Sequence, residues 1–590
     1  MSRLVEFGVK ESFIVTGRGS LFLTDALARE PRIKAQPVHH EQSAGYAAIA
    51  AAVASKGISS CFVSTGVGST NAVSAVLSAW QDEVPVVFIS GQNYSWHSTA
   101  LSGESLRTYG EQEANIVSLV KPITNYAITL DDPQQISHVI DQALSLAIGP
   151  RRGPVWIDIP LDFQSARVKA LEVDGQELEA EIDTSSADAV VLVSKEIADL
   201  FVAVNNSSRP LVLLGSGAVW LEPSSLSNAL AGLNIPVVYE AAAAGIIPLS
   251  DNIVVGSVGA LGCSRAGNFA LHHADLVIAI GSQFRSSLTG DSDSLFAPKA
   301  QIFLLDTDAS QVRDAIRSRI THVSISVERL LQPPALDPPA RNKDDWLNLC
   351  KSLKEDLPRG FSSDSPKKID LYDLAGSIGS LADANCTFVT DSGFIELIIP
   401  TNAVFGPAQR LVHPHSQGAM GFALAGAIGV ATATSKPVVA IIGDGSIMMN
   451  IQELETIRHL GRQIKIIVVS NGAYAIIRRR QNELFRGRSI GTDQSNGLTV
   501  PNFRKIANAF SLKYLRIDNL RRRSKTKLAR FLTSEGPGLC EIIGLEDQDY
   551  IRQSGRKSES GAWETRPFSD LAPFLDYKFL SNYQADEGKV

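Results

Sequence analysis

Short apolar runs alternate with longer amphipathic or alanine-rich stretches along most of this chain, and the alternation defines three blocks. In the first block, which extends to about residue 167, the Ala-rich stretch 42–55 is predicted to be helical. The apolar runs are short and rich in Val, Ile and Phe, which is typical of strands buried on both faces. The strands predicted in this block are residues 12–15, 61–64, 84–90 and 155–159.

The second block (about 190–333) and the third block (about 369–545) repeat this alternation. Strands alternating with helices imply parallel sheets covered on both faces, so we predict an α/β protein with three doubly wound parallel-sheet domains. The first and third blocks are similar enough in character to be two versions of one α/β unit. Further strands are predicted at 210–214, 236–239, 276–280, 301–305, 387–390, 437–442, 465–470 and 539–543.

Two stretches between the blocks are typical of linkers. Residues 169–187 are polar, and residues 333–368 are rich in proline and charge, with a helix predicted near 344–355. A length of 590 residues suggests about three to five domains. We place domain boundaries at 1–168, 188–335 and 366–550, followed by a C-terminal tail at 551–590.

Composition excludes several classes of protein. With 44% hydrophobic and 20% charged residues, the chain has enough apolar material to fold, which excludes global disorder. Lys and Arg together number 55 and Asp and Glu 62, so the formal net charge is −7. A mildly acidic chain is a poor candidate for sequence-independent nucleic-acid binding, and we expect no nucleic-acid partner.

The cysteine pattern and the longest apolar stretch indicate in which cellular compartment we expect the protein. The five cysteines are scattered, without a Cys-x-x-Cys pair, so we expect buried, reduced thiols and a cytoplasmic protein. The charge-free stretch between Gln417 and Lys436 contains glycines and threonines, which favours a buried helix over a membrane span, and we expect no membrane association. No signal peptide is visible, and the helix-like pattern at Met1 leaves a start further upstream open.

The sharpest chemical signal is a strand, a helix and a second strand at 438–442, 447–460 and 464–469. Asp444, between two glycines, follows the first strand, and Asn471 follows the second. A right-handed crossover places the carboxyl ends of parallel strands at one edge of a sheet. We therefore expect Asp444 and Asn471 to lie together at that edge.

These residue types suit a diphosphate and a magnesium ion. Gly443 and Gly445 allow backbone amides to approach a phosphate. Asp444 and the side-chain oxygen of Asn471 are hard ligands for Mg²⁺, and the backbone carbonyl of Ala473 is a candidate third ligand. A Gly-Asp-Gly turn alone is common after strands, but the 25 residues of helix and strand before Asn471 favour the metal-site interpretation.

At these residues the chain resembles the thiamine diphosphate (ThDP) enzyme family, whose signature is Gly-Asp-Gly followed about 25–30 residues later by Asn. The resemblance extends over nearly the whole chain and implies pyrimidine-binding, central and diphosphate-binding domains, in that order. Within the family, the chain is most similar to acetolactate synthase large subunits and to carboligases that make branched sugars of the yersiniose type.

The resemblance implies a catalytic role for Glu41, which matches the family's glutamate, and for Gln112, which would line the substrate pocket. A carboxyl group in a dry pocket can hydrogen-bond N1′ of the aminopyrimidine and thereby help to remove the proton from C2 of the thiazolium. Without the family pattern, Glu41 would be interpreted as a helix N-terminal acid that stabilises the helix dipole. The Gly-rich turn at 63–71 resembles the family's turn that faces the cofactor.

Other positions are assigned to the cofactor only through this resemblance. The Gly418 carbonyl would accept from the 4′-amino group, Met420 would hold the cofactor in a bent shape, and Gly393 would lie beside the diphosphate. The full set of predicted cofactor-binding residues is Gly393, Gly418, Met420, Gly443, Asp444, Gly445, Ser446, Asn471 and Tyr474. The predicted metal ligands are Asp444, Asn471 and Ala473.

Some positions depart from the acetolactate synthase pattern. Glu111 and Phe394 replace a Phe and a Gln of that family, and both positions touch substrate or diphosphate there. In the central block, residues 283–287 replace the family's Arg-Phe-Asp-Asp-Arg, whereas residues 215–217 and 306–308 resemble its flavin-binding segments. FAD binding and a central fold that only packs both stay open.

The resemblance implies a ThDP- and Mg²⁺-dependent carboligase. It would decarboxylate a 2-oxo acid, most simply pyruvate, and transfer the two-carbon unit to an acceptor carbonyl. The acceptor is a second pyruvate or a nucleotide-linked keto-sugar. The arginine run at 478–480 is either a solvated face or, because it follows the Asn471 loop, a grip for a phosphorylated acceptor. A homodimer is the expected minimum, with a tetramer open. The alternatives are a non-catalytic homologue or an NAD-dependent dehydrogenase, which would need a clean G-x-G-x-x-G fingerprint that we do not find.

Overall fold

Three six-stranded parallel sheets form the framework of the chain. The computed structural model describes residues 1–168, 195–249, 251–326, 343–360, 367–557 and 563–576. The predicted linker 169–187 and parts of the second predicted linker lie outside these ranges. The parallel α/β architecture and the three sheets are as predicted, whereas the domain boundaries stay predictions.

The first sheet is built from the N-terminal part of the chain. Its strands are β1 (Glu11–Ile14), β2 (Lys34–Pro37), β3 (Ser59–Val63), β4 (Val86–Gln92), β5 (Tyr126–Thr129) and β6 (Val155–Pro160). Its helices are α1 (Ser2–Glu6), α2 (Leu21–Ala28), α3 (Glu41–Ser55), α4 (Val67–Asn71), α5 (Val73–Gln81), α6 (Thr99–Ser102), α7 (Ile116–Val120), α8 (Ile136–Ile148) and α9 (Leu161–Gln164). The strand order is β2-β1-β3-β4-β6-β5.

The second sheet belongs to the central part. Its strands are β7 (Pro210–Leu214), β8 (Val237–Tyr239), β9 (Val254–Ser257), β10 (Leu276–Ile280), β11 (Gln301–Asp306) and β12 (Ile320–Ser324). Its helices are α10 (Lys195–Asn206), α11 (Pro223–Leu233), α12 (Arg265–His273), α13 (Ser286–Thr289), α14 (Asp314–Arg317) and α15 (Asp344–Asp356). The order β12-β11-β10-β7-β8-β9 is the doubly wound order of dinucleotide-binding domains. Helix α15 confirms the helix predicted inside the second linker.

The third sheet has the order β14-β13-β15-β16-β18-β17. Its strands are β13 (Thr387–Thr390), β14 (Arg410–Val412), β15 (Val438–Gly443), β16 (Ile464–Ser470), β17 (Lys513–Ile517) and β18 (Gly538–Ile543). Its helices are α16 (Leu371–Leu381), α17 (Phe394–Asn402), α18 (Phe422–Ala433), α19 (Glu453–Leu460), α20 (Ala475–Phe485), α21 (Phe503–Ala509) and α22 (Arg522–Leu532). Counted within each sheet, this order is the same as in the first sheet, which agrees with two versions of one unit.

Short elements complete the described structure. A two-stranded antiparallel sheet pairs β19 (Gly555–Lys557) with β20 (Trp563–Thr565) in the predicted tail. The tail also packs on the central part, because the Arg265 guanidinium donates to the carbonyls of Leu571 and Pro573. The 3₁₀ helices are Arg18–Ser20, Ser95–His97, Lys121–Ile123, Pro133–Gln135, Ser216–Trp220, Ala241–Ala243, Asp293–Leu295, Ser446–Met449 and Gln494–Asn496.

One core joins the first and third sheets. Helices α3 and α18 follow the second strand of their own sheets, and both are apolar around most of their circumference, which is typical of buried helices. They pack directly on each other, and the backbone of Ala47 lies so close to Gly429 that a Cβ there would collide with it. The stretch 417–436 is thus a buried helix, as predicted. In the part of the chain that the structure describes, no helix combines the length and hydrophobicity needed to cross a bilayer.

One predicted helix differs from the structure. Instead of a helix over 447–460, the chain forms the 3₁₀ helix Ser446–Met449, breaks, and resumes as α19 at Glu453. The break follows from Asn450, whose side chain is buried and donates to the carbonyl of Gly421. Leu454 and Ile457 of α19 are buried in the core.

Candidate active site

A cavity of about 340 Å³ lies at the carboxyl ends of β15 and β16. It brings together every cofactor and metal residue predicted in the third block. Those lining residues are Gly393, Gly418, Met420, Gly443, Asp444, Gly445, Ser446, Asn471, Ala473 and Tyr474. We call this space the cofactor cavity.

Asp444 connects the two strand ends that form the floor of this cavity. Its Oδ2 accepts hydrogen bonds from the backbone amides of Asn471 (2.9 Å) and Gly472 (2.7 Å), and its Oδ1 accepts from the amide of Gly445 (2.9 Å). Burial raises the pKa of Asp444 above its usual value, while these amide hydrogen bonds act in the opposite direction. The carboxylate is therefore held in one orientation at the predicted edge.

The oxygens around Asp444 fit a magnesium ion held together with a diphosphate. Asn471 lies beside Asp444, and its Oδ1 accepts from the amide of Ala473 (3.2 Å), which orders this loop. Within the described ranges, no group of three or more His, Cys, Asp or Glu side chains could hold a metal. A set of one carboxylate, one amide oxygen and one backbone carbonyl suits Mg²⁺, which keeps further positions for phosphate oxygens and water.

At two positions of the cavity, Gly445 and Gly418, neighbouring side chains leave no room for a Cβ atom. A Cβ on Gly445 would collide with the ring of Tyr474, so the ring and the Gly-Asp-Gly backbone form one wall. Gly418 has φ +56°, and a Cβ there would collide with the carboxylate of Glu396. These positions therefore need glycine for steric reasons that come from the protein itself.

The loop that carries Gly418 and Met420 is anchored by Asp391. This carboxylate is fully buried and accepts from the amides of Gly421 (3.2 Å) and Ala423 (2.9 Å). Burial raises the pKa of Asp391 to about 6, although those amide hydrogen bonds lower it. Asp391 thus fixes the start of α18 relative to the end of β13.

Glu41 and Gln112 lie outside the cofactor cavity. Glu41 begins α3, and its Oε2 accepts from the side-chain amide of Asn71 (3.0 Å). Gln112 is exposed, and its carbonyl packs so closely on Gly66 that only glycine fits there. Both predicted catalytic residues therefore flank the Gly-rich turn of the first sheet, and neither is among the residues of this chain that line the cofactor cavity.

The structure adds Glu396 to the cavity lining. This glutamate stands in the first turn of α17, where an acid is ordinarily explained by the helix dipole. The only sequence signal was its spacing, three residues after Gly393, and that signal is weak.

A second cavity, of about 630 Å³, lies where the three parts of the chain meet, and we call it the junction cavity. It includes residues 283–287 and four arginines, Arg151, Arg152, Arg285 and Arg313, which suit an anionic ligand such as a flavin dinucleotide. The flavin-like glycine turn fits less well, because Gly215 and Gly217 pack against the backbone of Gly281.

Two arginines of the run 478–480 are engaged elsewhere. Arg478 donates to the carbonyl of Glu546 (2.7 Å) and to Asp547 (3.1 Å), and Arg479 pairs with Asp549 (2.8 Å). Neither of these two arginines lines the cofactor cavity. Their contacts are those of a structural surface, so they lend no support to the idea of a phosphate grip.

Family models match three successive parts of the chain. The N-terminal TPP binding domain of thiamine pyrophosphate enzymes matches residues 1–119, the central domain 197–332, and the C-terminal TPP binding domain 393–542. The chain belongs to the thiamine diphosphate enzyme family. The C-terminal match contains all the residues predicted to line the cofactor cavity, and the N-terminal match contains Glu41 and Gln112. The chain is therefore a ThDP-dependent enzyme.

Three curated relatives of similar length are acetolactate synthase large subunits. The chain is 28% identical to acetolactate synthase isozyme 1 large subunit of Escherichia coli K12, over 93% of both chains. It is 27% identical to acetolactate synthase large subunit of Lactococcus lactis, over 92% of this chain and 91% of the relative. It is 28% identical to the acetolactate synthase large subunit of Corynebacterium glutamicum, over 96% of this chain and 90% of the relative. The chain is therefore acetolactate synthase-like.

Proposed function

We propose that this protein is a ThDP- and Mg²⁺-dependent carboligase that decarboxylates pyruvate and transfers the two-carbon unit to an acceptor carbonyl. The observation that carries the proposal is the cofactor cavity, in which Asp444, Asn471 and the flanking glycines meet at one sheet edge. When bound, ThDP supplies the electron sink that allows carbon dioxide to leave.

The residues of the chain have separate tasks in this proposal. Asp444, Asn471 and the Ala473 carbonyl hold the metal, and through it the diphosphate. The Gly418 carbonyl accepts from the 4′-amino group, and Met420 supports the bent cofactor. Glu41 would hold N1′ of the aminopyrimidine by a hydrogen bond and so support removal of the proton from C2 of the thiazolium.

Glu41 would come from a second copy of the chain, so the active unit is at least a homodimer. Two observations support this proposal: Glu41 lies outside the cofactor cavity of its own chain, and apolar side chains are exposed on both sides. Val67, in the turn beside Glu41, is 71% exposed, and Met448 and Met449, just after the Gly-Asp-Gly turn, are 44% and 48% exposed. A second copy would cover such side chains.

Mixing two inactive variants tests the shared site. Glu41→Gln and Asp444→Ala chains are each expected to be inactive. After co-refolding or co-expression, hybrid dimers contain one intact site, so activity should return to about a quarter of the wild-type value. A site built from one chain predicts no recovery, and that result would refute the shared arrangement. Sedimentation of the wild-type protein distinguishes a dimer from a tetramer.

The acceptor is proposed to be a second pyruvate, giving 2-acetolactate, as the names of the relatives suggest. A nucleotide-linked keto-sugar is the second candidate, favoured by the departures at Glu111 and Phe394. Incubation with pyruvate, with and without candidate keto-sugars, followed by mass analysis of the products distinguishes the two. If the protein releases no carbon dioxide from pyruvate, it is not a pyruvate carboligase, and a non-catalytic homologue becomes the better explanation.

Two finer points belong to the same proposal. FAD, if bound, would be held in the junction cavity by its arginines, and the visible absorption spectrum of the purified protein tests this directly. Carboligation itself transfers no net electrons, so no step requires the flavin. We also propose a cytoplasmic location, in keeping with five buried free thiols, which fractionation of the producing cell checks.

A further inference from the structure

Glu396 occupies the boundary between the two cavities of the site. Its side chain lines the cofactor cavity together with Gly418 and Met420, and it also lines the junction cavity together with Arg285 and His415. A group in this position faces the cofactor on one side and has open space on the other. Where the junction cavity holds no flavin, its volume of about 630 Å³ has room for an acceptor molecule beside Glu396.

The carboxyl group of Glu396 is held by the backbone and not by a cation. The amide of Gly393 donates to it, and it packs against Gly418. Among the described residues, no Arg, Lys or His forms an ion pair with it. Arg285 is engaged elsewhere, since it donates to Gln283, to Ser416 and to the carbonyl of Gln81.

Burial and nearby negative charges favour the neutral form of the Glu396 carboxyl group. Burial raises the pKa of Glu396 to about 7, and the negative charges of Asp391 and Asp82 act in the same direction. From the side of the junction cavity it is faced by Arg285 and by His415, whose pKa burial lowers well below its usual value. The surroundings therefore favour the proton-carrying form of Glu396, and this group lies at the wall of both cavities.

We propose that Glu396 binds the carbonyl oxygen of the acceptor and donates the proton that makes this oxygen the hydroxyl group of the product. The inference rests on the proposed carboligase function and assigns the acceptor side of that same site. It makes Glu396 a catalytic residue of the second half of the reaction, whereas Glu41 acts in the first half.

The step balances without a further reagent. The nucleophilic carbon of the decarboxylated donor forms a bond to the carbonyl carbon of the acceptor. The π electrons of the carbonyl move to its oxygen, which takes the proton as the O–H bond of Glu396 breaks. When the donor carbon becomes the keto group of the product, its hydroxyl proton returns to the Glu396 carboxylate, and the bond between this carbon and the cofactor would break with its electron pair left on the cofactor. No electrons are gained or lost overall.

The decisive variant is Glu396→Gln, which keeps the shape and an oxygen that can accept from the Gly393 amide but removes the acidic proton. Glu240→Gln is the matched control, because burial also raises the pKa of Glu240 to about 7. The Glu240 carboxylate accepts a hydrogen bond from the Ser282 hydroxyl, and Glu240 does not line the cofactor cavity. Glu396→Asp, which keeps a carboxyl group, tests rescue. Carbon dioxide release, acetaldehyde and transfer product are measured in the same reaction with pyruvate.

We expect Glu396→Gln to keep carbon dioxide release while the ratio of transfer product to acetaldehyde falls on the order of 100-fold. Glu396→Asp should recover part of that ratio, and Glu240→Gln should match the wild type. An unchanged ratio in Glu396→Gln overturns the inference while leaving the carboligase intact. Absence of carbon dioxide release from the wild type instead overturns the proposed function.

A binding measurement without turnover gives a second readout. Ionisation of Glu396 near pH 7 changes the charge beside the cofactor cavity, so the pH dependence of the affinity for ThDP in the presence of Mg²⁺ between pH 6 and 8 should differ between the wild type and Glu396→Gln. Fluorescence titration of both proteins, and of Glu240→Gln, measures this. Identical pH profiles for the wild type and Glu396→Gln contradict the assigned proton.

Discussion

The side-chain amide of Asn71 donates a hydrogen bond to the Glu41 carboxylate across 3.0 Å. Asn71 ends the short helix of the Gly-rich turn, and Glu41 begins α3, so this contact joins two segments 30 residues apart. A Cβ on Gly68 of the same turn would lie 3.3 Å from the other oxygen of Glu41. The turn therefore fixes where the Glu41 carboxylate points.

Replacing Glu41 tests its role, and replacing Asn71 tests this orientation. Glu41→Gln should lower the rate of carbon dioxide release by about 10²- to 10⁴-fold, because the acid that supports proton removal is lost. Asn71→Ala should lower it by roughly tenfold. Circular dichroism and thermal unfolding should be nearly unchanged in both.

Thr70→Ala serves as the control, since the Thr70 hydroxyl donates only to the nearby Val67 carbonyl (3.3 Å). It should keep wild-type activity. Full activity in Glu41→Gln would remove the proposed mechanism of cofactor activation.

Removal of the metal, or of its proposed ligand, should abolish cofactor binding. Chelation with EDTA is expected to release ThDP, and added Mg²⁺ should restore its binding. Asp444→Asn should weaken ThDP binding by at least tenfold, because a neutral amide is a poor substitute for a carboxylate on Mg²⁺. Fluorescence titration across a range of Mg²⁺ concentrations measures both effects, and tight binding in the presence of EDTA would contradict the metal site.

The two glycines that flank Asp444 should respond differently to a methyl group. A Cβ on Gly445 collides with the Tyr474 ring, whereas one on Gly443 lies 3.8 Å from its nearest neighbour, Ser446 Oγ. Gly445→Ala should destabilise the cofactor-free protein by about 1–3 kcal/mol, through overpacking. Gly443→Ala should change stability little.

Adding Tyr474→Ala to Gly445→Ala makes room for the methyl group. The double variant should therefore lose less stability than the two single changes added together. Thermal or denaturant unfolding of the four cofactor-free proteins measures the coupling, and strict additivity would show that the ring is not the obstacle.

The contact between α3 and α18 should be equally intolerant of one methyl group. Gly429→Ala brings a Cβ into the backbone of Ala47 and should cost about 1–3 kcal/mol, although alanine favours helices. Gly376→Ala on α16 is the matched control, because nothing lies within 4 Å of its added Cβ. That variant should be neutral or stabilised by up to about 1 kcal/mol in denaturant unfolding. Equal effects of both changes would contradict the close packing.

Acid should destabilise the protein through His413. Burial lowers the pKa of His413 to about 3, so between pH 6.5 and 5 only the unfolded chain binds a proton there. The free energy of unfolding then falls as pH falls, by up to about 1.4 kcal/mol per pH unit for this one group.

Raised carboxyl pKa values, such as that of Glu240, oppose this trend, so the prediction concerns a difference between proteins. His413→Asn, which can still bond Thr390, should lose less stability than the wild type between pH 6.5 and 5. Unfolding curves at the two pH values measure the difference, and parallel losses would show that His413 is not the proton-linked group.

The strands show what a hydrophobic pattern can determine. All twelve strands predicted from apolar runs are present within two residues of the predicted bounds. The six missing from the prediction are β2, β5, β9, β12, β14 and β17, which are the edge strands of the three sheets. Inner strands are buried on both faces and need continuous apolar sequence, whereas most of these edge strands are partly exposed and look like loops.

For the site, too, the sequence determined some features and the tertiary structure decided the others. The sequence alone determined the edge that holds Asp444 and Asn471, because a strand–helix–strand unit with a right-handed crossover allows only one placement of its loops. The family resemblance then named further residues of the cofactor cavity, such as Gly393, Gly418 and Met420. Only the tertiary structure placed Glu41 outside that cavity and Glu396 between two cavities. Both placements depend on how distant segments pack, and no local spacing in the chain encodes that packing.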